Sequence, residues 1–82
     1  MERNRITEMK KPLIEILGTR RVLIEHHCGI CAYSDHRISV RVNYGVIDIV
    51  GDRLKAVSMT KDVLVINGCV FQLTLKREGD KN

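Results

Sequence analysis

Apolar and polar residues alternate along most of this chain, most clearly between positions 37 and 50. Ile38, Val40 and Val42 alternate with polar neighbours, and this two-residue period is typical of a strand with one buried and one solvated face. Asn, Tyr and Gly at positions 43–45 interrupt the alternation, and a second β-branched run follows at 46–50. The stretch therefore predicts a β-hairpin with its turn at 43–45.

The same alternation recurs in short segments that are separated by turn residues. The predicted strands cover positions 13–17, 22–27, 30–33, 37–42, 46–50, 54–59, 63–66 and 69–75. Among the turns, 51–53 separates two strands, and the Asn67–Gly68 pair is the strongest hairpin signal in the chain. No segment has a convincing 3.6-residue period. In the last predicted strand the residues expected to face the core are Cys69, Phe71, Leu73 and Leu75.

These segments predict an all-β fold without substantial helix. We expect a single small domain of about eight short antiparallel strands in a meander, arranged as a roll, a barrel or a sandwich. The 82 residues leave no room for a second domain. The domain is expected at 12–76, with a polar N-terminal tail at 1–11 and a charged C-terminal tail at 77–82. Because so small a core leaves little stability to spare, oligomerisation or a partner is expected.

Charge and composition narrow the functional classes. The net charge is +4 with scattered basic residues, which can favour weak contact with anionic lipid or nucleic acid but more often marks a solvated surface. Nucleic acid is not expected as a partner because Tyr33, Tyr44 and Phe71 are the only candidate stacking platforms. No apolar run reaches the length of a membrane span, and no signal-peptide core is present. An odd number of cysteines fits a reducing cytoplasm.

The segment at 26–31 contains the residue types of a metal site. Cysteines in a Cys-x-x-Cys spacing can hold zinc from a tight turn, but a structural site needs four ligands and a second such pair is missing. The candidate ligands are His26, His27, Cys28, Cys31 and Cys69, with His36 as a further possibility. The preferred interpretation is structural, with Cys31 as a small buried apolar residue and Cys28 at a hairpin end. We therefore predict no metal and no cofactor.

Catalytic arrangements are not indicated either. Ser34, Ser39 and Ser58 lack the context of a nucleophile elbow. Asp48 and Asp52 flank a turn, but an acid–base pair needs a pocket, which a small filled β core seldom supplies. The sequence predicts no catalytic residue and a protein that is not an enzyme.

The order and spacing of the motifs resemble the YabP/YqfC family of sporulation proteins, with the YqfC-like branch as the nearer one. The match runs from about Pro12 to Leu75 and includes an Ile-Glu-x-His-x-Gly-Ile type of segment and a strand–Gly–strand–Gly–x–x–Leu segment. The residues that carry it are Pro12-Leu13-Ile14-Glu15-Ile16-Leu17-Gly18, Val22-Leu23-Ile24-Glu25-His26-His27, Gly29-Ile30, Tyr33-Ser34, Arg37-Ile38-Ser39-Val40, Gly45-Val46-Ile47-Asp48-Ile49-Val50-Gly51 and Leu54. Cys28 departs from the pattern, because relatives tend to have a basic or polar residue there.

The resemblance implies a protein of endospore-forming bacteria that is made in the mother cell and needed for spore development. It implies a protein partner, with a YqfD-like membrane-associated sporulation protein as the candidate. The expected location is the mother-cell cytoplasm, with the forespore membrane as a candidate site of action. The family brings no catalytic residues with it.

Three functions remain open at this level. The first is a non-enzymatic sporulation protein that acts through protein–protein contacts, with edge strands available for a partner or for a homo-oligomer. The second is a small zinc-binding module built on the segment from His26 to Cys31. The third is a weak binder of nucleic acid or anionic surfaces, whose affinity would fall steeply with salt.

Overall fold

The computed structural model describes residues 12–77, which form six β-strands and no helix. The strands are β1 (Leu13–Leu17), β2 (Arg21–Glu25), β3 (Ile30–Tyr33), β4 (Arg37–Val42), β5 (Gly45–Met59) and β6 (Val63–Arg77). They make one antiparallel sheet in the order β1-β2-β6-β5-β4-β3. The all-β prediction is confirmed, and so is the hairpin at 37–50, where Val42 pairs with Gly45 across a two-residue turn. The predicted N-terminal tail and residues 78–82 of the C-terminal tail lie outside the described residues.

Within residues 12–77 the strand count is six, slightly below the predicted number of about eight, because two predicted turns lie inside strands. Positions 51–53 belong to β5, and Asn67–Gly68 belongs to β6, each strand being 15 residues long. The chain bends at these positions and does not reverse. Their glycines permit the bend: a Cβ atom on Gly51 would overlap the carbonyl oxygen of Cys69, and Gly68 has a φ of +140°. The turn-forming residues at these positions therefore produce bulges within a long hairpin and do not end a strand.

The bent hairpin is shared by two layers. One layer consists of β1, β2, residues 63–67 of β6 and residues 55–59 of β5. The other consists of β3, β4, residues 45–50 of β5 and residues 72–77 of β6. The buried residues of both layers form a single cluster, and its members are Val22, Ile24, Ile38, Val40, Val42, Ile47, Ile49, Leu54, Leu64 and Ile66. The sheet therefore folds over itself as a roll around one core.

The connection from β2 to β3 departs from a simple meander, because it crosses between the layers. The N–H of His26 donates to the carbonyl of Asp62 at 2.7 Å, and the N–H of Cys28 donates to the carbonyl of Arg41 at 2.7 Å. The N–H of Arg41 returns a bond to the carbonyl of Gly29 at 2.8 Å. His26 adopts a positive φ of 64°, so the turn of the chain occurs at this residue. The crossover thus ties the first layer to the second.

A bulge changes which residues of β6 face the core. Val50 pairs with Gln72 and Gly51 with Val70, so Phe71 has no partner across the ladder. The extra residue directs the Phe71 ring outward, where it is 70% exposed. Of the four residues predicted to face inward, Leu73 packs against the core, whereas Cys69, Phe71 and Leu75 are exposed.

Candidate interaction surface

The two layers meet along two lateral seams, and one of them is closed by hydrogen bonds. The N–H groups of Gly51 and Leu54 donate to the carbonyls of His36 and Asp35 at 3.0 and 2.9 Å. The N–H of Ala56 donates to the hydroxyl oxygen of Tyr33 at 3.0 Å. The β3–β4 hairpin therefore covers the outer edge of β5 beyond its bend. We refer to this side, over residues 51–56, as the closed seam.

The opposite seam is covered only at its corner. There the N–H groups of Gly68 and Val70 donate to the carbonyls of Arg20 and Thr19 at 3.1 and 2.8 Å. Beyond Val70, no strand within residues 12–77 pairs with the outer side of β6. The outer side of β1 is likewise an edge of the described sheet. We call these two free edges, with the groove between them, the open seam.

The register identifies the β6 residues whose main-chain groups point into the open seam. A two-residue turn makes Val42 and Gly45 a hydrogen-bonded pair, and bonded and non-bonded pairs alternate along an antiparallel ladder. When this alternation is followed across β5 to β6, the N–H and C=O groups of Leu73, Leu75 and Arg77 point away from β5. Within residues 12–77, no neighbouring strand pairs with these outward main-chain groups.

The edge strand β1 also has main-chain groups that point out of the sheet. The carbonyl of Arg20 bonds to β6, so the even-numbered residues of β2 point toward β6 and the odd-numbered ones toward β1. Because Leu17 pairs with Arg21, the odd-numbered residues of β1 are bonded to β2. The main-chain groups of Ile14 and Ile16 consequently point out of the sheet.

Apolar side chains concentrate at the open seam. Leu13, Ile16 and Leu17 on β1 are each 51% exposed. The groove between the edges is lined by Ile16, Gly18, Thr19, Val70, Phe71, Gln72 and Leu73. A free edge that carries exposed apolar residues on a small sheet is a site for adding another strand. We therefore take the open seam as the candidate interaction surface among the described residues.

The candidate metal ligands at 26–28 serve the crossover. His27 accepts the N–H of Gly29 at Nδ1 (3.1 Å), and its Nε2 lies 2.9 Å from the carbonyl oxygen of Thr60, to which it can donate. The Sγ of Cys28 lies 3.8 Å from Oδ1 of Asn43, and His26 makes the backbone bond to Asp62. Nε2 of His27 thus ties the crossover to the β5–β6 turn, while Nδ1 makes a bond within the crossover.

The remaining candidates lie elsewhere. Cys31 is exposed on edge strand β3, contrary to the prediction of a buried residue, and its Sγ donates to the carbonyl of Ser39 at 3.5 Å. Edge position explains the exposure, because β3 has a neighbour on one side only. Cys69 pairs with Asp52 near the bend, and His36 lies 3.7 Å from the same carboxylate. Within residues 12–77, no three His, Cys, Asp or Glu side chains are placed to hold a metal ion.

A buried polar cluster lies on the outer face of the second layer, and the sequence reasoning missed it. Ser39 Oγ donates to Asp48 Oδ1, and Lys76 Nζ lies 3.4 Å from Asp48 Oδ2. Asp48 is 8% exposed. The hydrogen bond from Ser39 lowers the pKa of Asp48, and Lys76 adds to this effect, while burial opposes it. The Asp48 carboxylate is therefore held ionised, as an acceptor within the sheet.

Comparison with known proteins identifies the family of this chain. The model of the YabP family matches residues 8–82, whereas no curated protein and no solved structure matches the chain. The YqfC-like branch stays a prediction. The YabP family is a family of sporulation proteins and not a known enzyme family, so membership is consistent with a sporulation-related protein. Since the match covers nearly the whole chain, this protein belongs to the YabP family.

Proposed function

We propose that this protein is a non-enzymatic sporulation protein that acts in the mother cell through protein–protein contacts at the open seam. The observation that carries the proposal is the asymmetry of the roll. The closed seam is covered by hydrogen bonds from β5, whereas the open seam combines exposed apolar side chains with main-chain groups that have no partner strand within residues 12–77. Membership of the YabP family supports a role in sporulation, and the open seam supports action through protein–protein contacts.

The chemistry of the seam defines what the partner must present. An added strand satisfies the unpaired N–H and C=O groups of Leu73 and Leu75, and alternate apolar side chains on it can enter the groove beside Phe71. The partner segment is therefore extended, with apolar residues at every second position. A membrane-associated sporulation protein of the YqfD type is the partner that the family resemblance suggests, with the mother-cell cytoplasm at the forespore membrane as the meeting place.

Two exposed bulge residues give a matched test of the surface. Phe71 has no ladder partner at the open seam, and Val57 has none on the opposite part of the hairpin; both are exposed apolar residues. We expect Phe71→Lys to abolish the contact, because a charge enters the apolar groove, whereas Val57→Lys leaves the groove unchanged. Both variants should unfold like the wild type.

The measurement is the yield of heat-resistant spores in an endospore-forming host that lacks its own copy of the gene. The wild type and Val57→Lys, expressed in the mother cell, are expected to restore spore formation, and Phe71→Lys is expected to fail at equal protein level. Restoration by both variants would show that the open seam is not the functional surface. Failure of the wild type itself would refute the role in sporulation.

A further inference from the structure

We propose that the open seam binds a second copy of this chain, with β1 of each copy paired antiparallel to residues 74–77 of the partner's β6. This rests on the proposed function, because it names an occupant for the same surface. Both free edges border one groove, so two copies that face each other across it can make the contact twice. Such a reciprocal contact is closed by a two-fold axis and leaves no edge of the seam unpaired.

The main chains match without adjustment. Antiparallel addition joins residues whose main-chain groups point out of their own sheets, and on β1 these are Ile14 and Ile16. On β6 they are Leu75 and Arg77 together with Leu73. Pairing Ile16 with the partner's Leu75 and Ile14 with the partner's Arg77 extends both ladders. Because Ile16 and Leu75 face the core side of their own layers, the pair also extends the apolar interior.

Charge selects this register. With Ile16 opposite the partner's Leu75, Glu15 lies directly opposite the partner's Lys76 on the outer face. A shift by two residues places Glu15 opposite Thr74 and leaves Lys76 opposite Leu13. Pairing of β1 with itself in the register that bonds both Ile14 and Ile16 would place two Glu15 carboxylates opposite each other, which is unfavourable. The side chain of Lys76 contacts Asp48 but is 66% exposed, so its ammonium group remains accessible to Glu15.

The competing arrangement pairs β6 with the partner's β6 around Thr74. It satisfies the main-chain groups of Leu73 and Leu75 and opposes no like charges. However, it leaves the apolar side chains of β1 exposed and does not involve Glu15. The two arrangements therefore differ in their dependence on Glu15.

The test combines two charge reversals, Glu15→Lys and Lys76→Glu, in sedimentation velocity across a range of protein concentrations. We expect a dimer for the wild type. Each variant alone should associate about tenfold more weakly, because like charges then oppose each other at both contacts. In an equimolar mixture, opposite charges face each other at both contacts again, and we expect a mixed dimer with the affinity of the wild type.

Folding is controlled separately, because Lys76→Glu also places a second carboxylate beside Asp48. If Lys76→Glu does not show a cooperative thermal transition, the wild type, Glu15→Gln and Glu15→Lys are compared instead. Dimer affinity is then expected to fall in that order. A monomeric wild type, or a Glu15→Lys variant that dimerises like the wild type, would overturn the proposal. So would folded variants whose mixture does not associate.

Failure of this proposal is distinguishable from failure of the proposed function. Loss of spore formation in Phe71→Lys with a monomeric wild type would retain the open seam as a functional surface and exclude the second copy as its occupant. Full spore formation in Phe71→Lys and Val57→Lys, together with dimers that depend on Glu15, would retain the dimer and exclude the open seam as the surface needed for spore formation.

Discussion

Asp48 shows how a single carboxylate can be buried in a sheet without becoming reactive. It lies in a β-branched run, and its neighbours Ile47 and Ile49 point into the core. On the other face, Ser39 donates a hydrogen bond to it and Lys76 neutralises its charge. The carboxylate is thus satisfied on both oxygens, which makes it a stabilising group of the second layer.

The lowered pKa of Asp48 predicts how stability depends on pH. Because its pKa in the folded chain lies below the ordinary value of 3.8, its contribution is fully present above that value and is lost as the pH falls through the folded pKa. Asp48→Asn should reduce the free energy of unfolding by about 2 kcal/mol at pH 7, and the difference from the wild type should shrink in acid. Urea unfolding at pH 7 and in acid measures this difference in the free energy of unfolding. Asp62→Asn, which changes an exposed carboxylate, is the control. An equal loss at both pH values would contradict the assignment.

Two of the three residues in this cluster could have been placed together from the sequence. Once the turn at Asn43–Tyr44 is taken as two residues long, the register places Ser39 opposite Asp48. Lys76 could not be added in this way, because the pairing of β6 with β5 depends on the bulge at Phe71. A bulge inserts one residue into the count, and nothing local in the sequence marks that position.

At the level of the elements, the long β5–β6 hairpin decides the fold. Asn67–Gly68 has the local signature of a two-residue turn, yet the chain continues as a strand because pairing with β5 extends on both sides of it and pairing with β2 holds the residues up to Asn67. Gly68 instead supplies a φ of +140° at the bend, where a Cβ atom would lie 2.7 Å from the carbonyl oxygen of Arg53. Long-range pairing therefore overrides the local preference.

This role of Gly68 can be tested against a second glycine. Gly68→Ala should lower the free energy of unfolding by about 3 kcal/mol, because both the backbone conformation and the contact with β5 become unfavourable. Gly18→Ala is the control: its φ is +63° and its added Cβ atom meets nothing within 4 Å, so the loss should be about 1 kcal/mol. Chemical denaturation compares the two. Equal losses would show that the bend does not require close approach of the strands.

At the scale of the whole molecule, the fold class followed from the sequence but the arrangement of the layers did not. The alternation of apolar residues is a local property, so it predicts strands and the core residues Ile38, Val40 and Val42. The crossover at 26–29 is fixed by hydrogen bonds to Asp62 and Arg41, which are far away in sequence. The open seam results from that crossover and from the bend, so it could not be predicted from periodicity.

The central claim is that one seam of the roll is closed within the chain and the other is open to a partner. Amide hydrogen exchange measured by NMR at low and high protein concentration tests it most directly. We predict that the amides of Gly51, Leu54 and Ala56 are protected at every concentration, whereas those of Leu73, Leu75 and Arg77 exchange rapidly in the monomer, and those of Leu75 and Arg77 become protected on association. Protection of Leu73 and Leu75 in the monomer would contradict the account, because the seam would then be closed within a single chain.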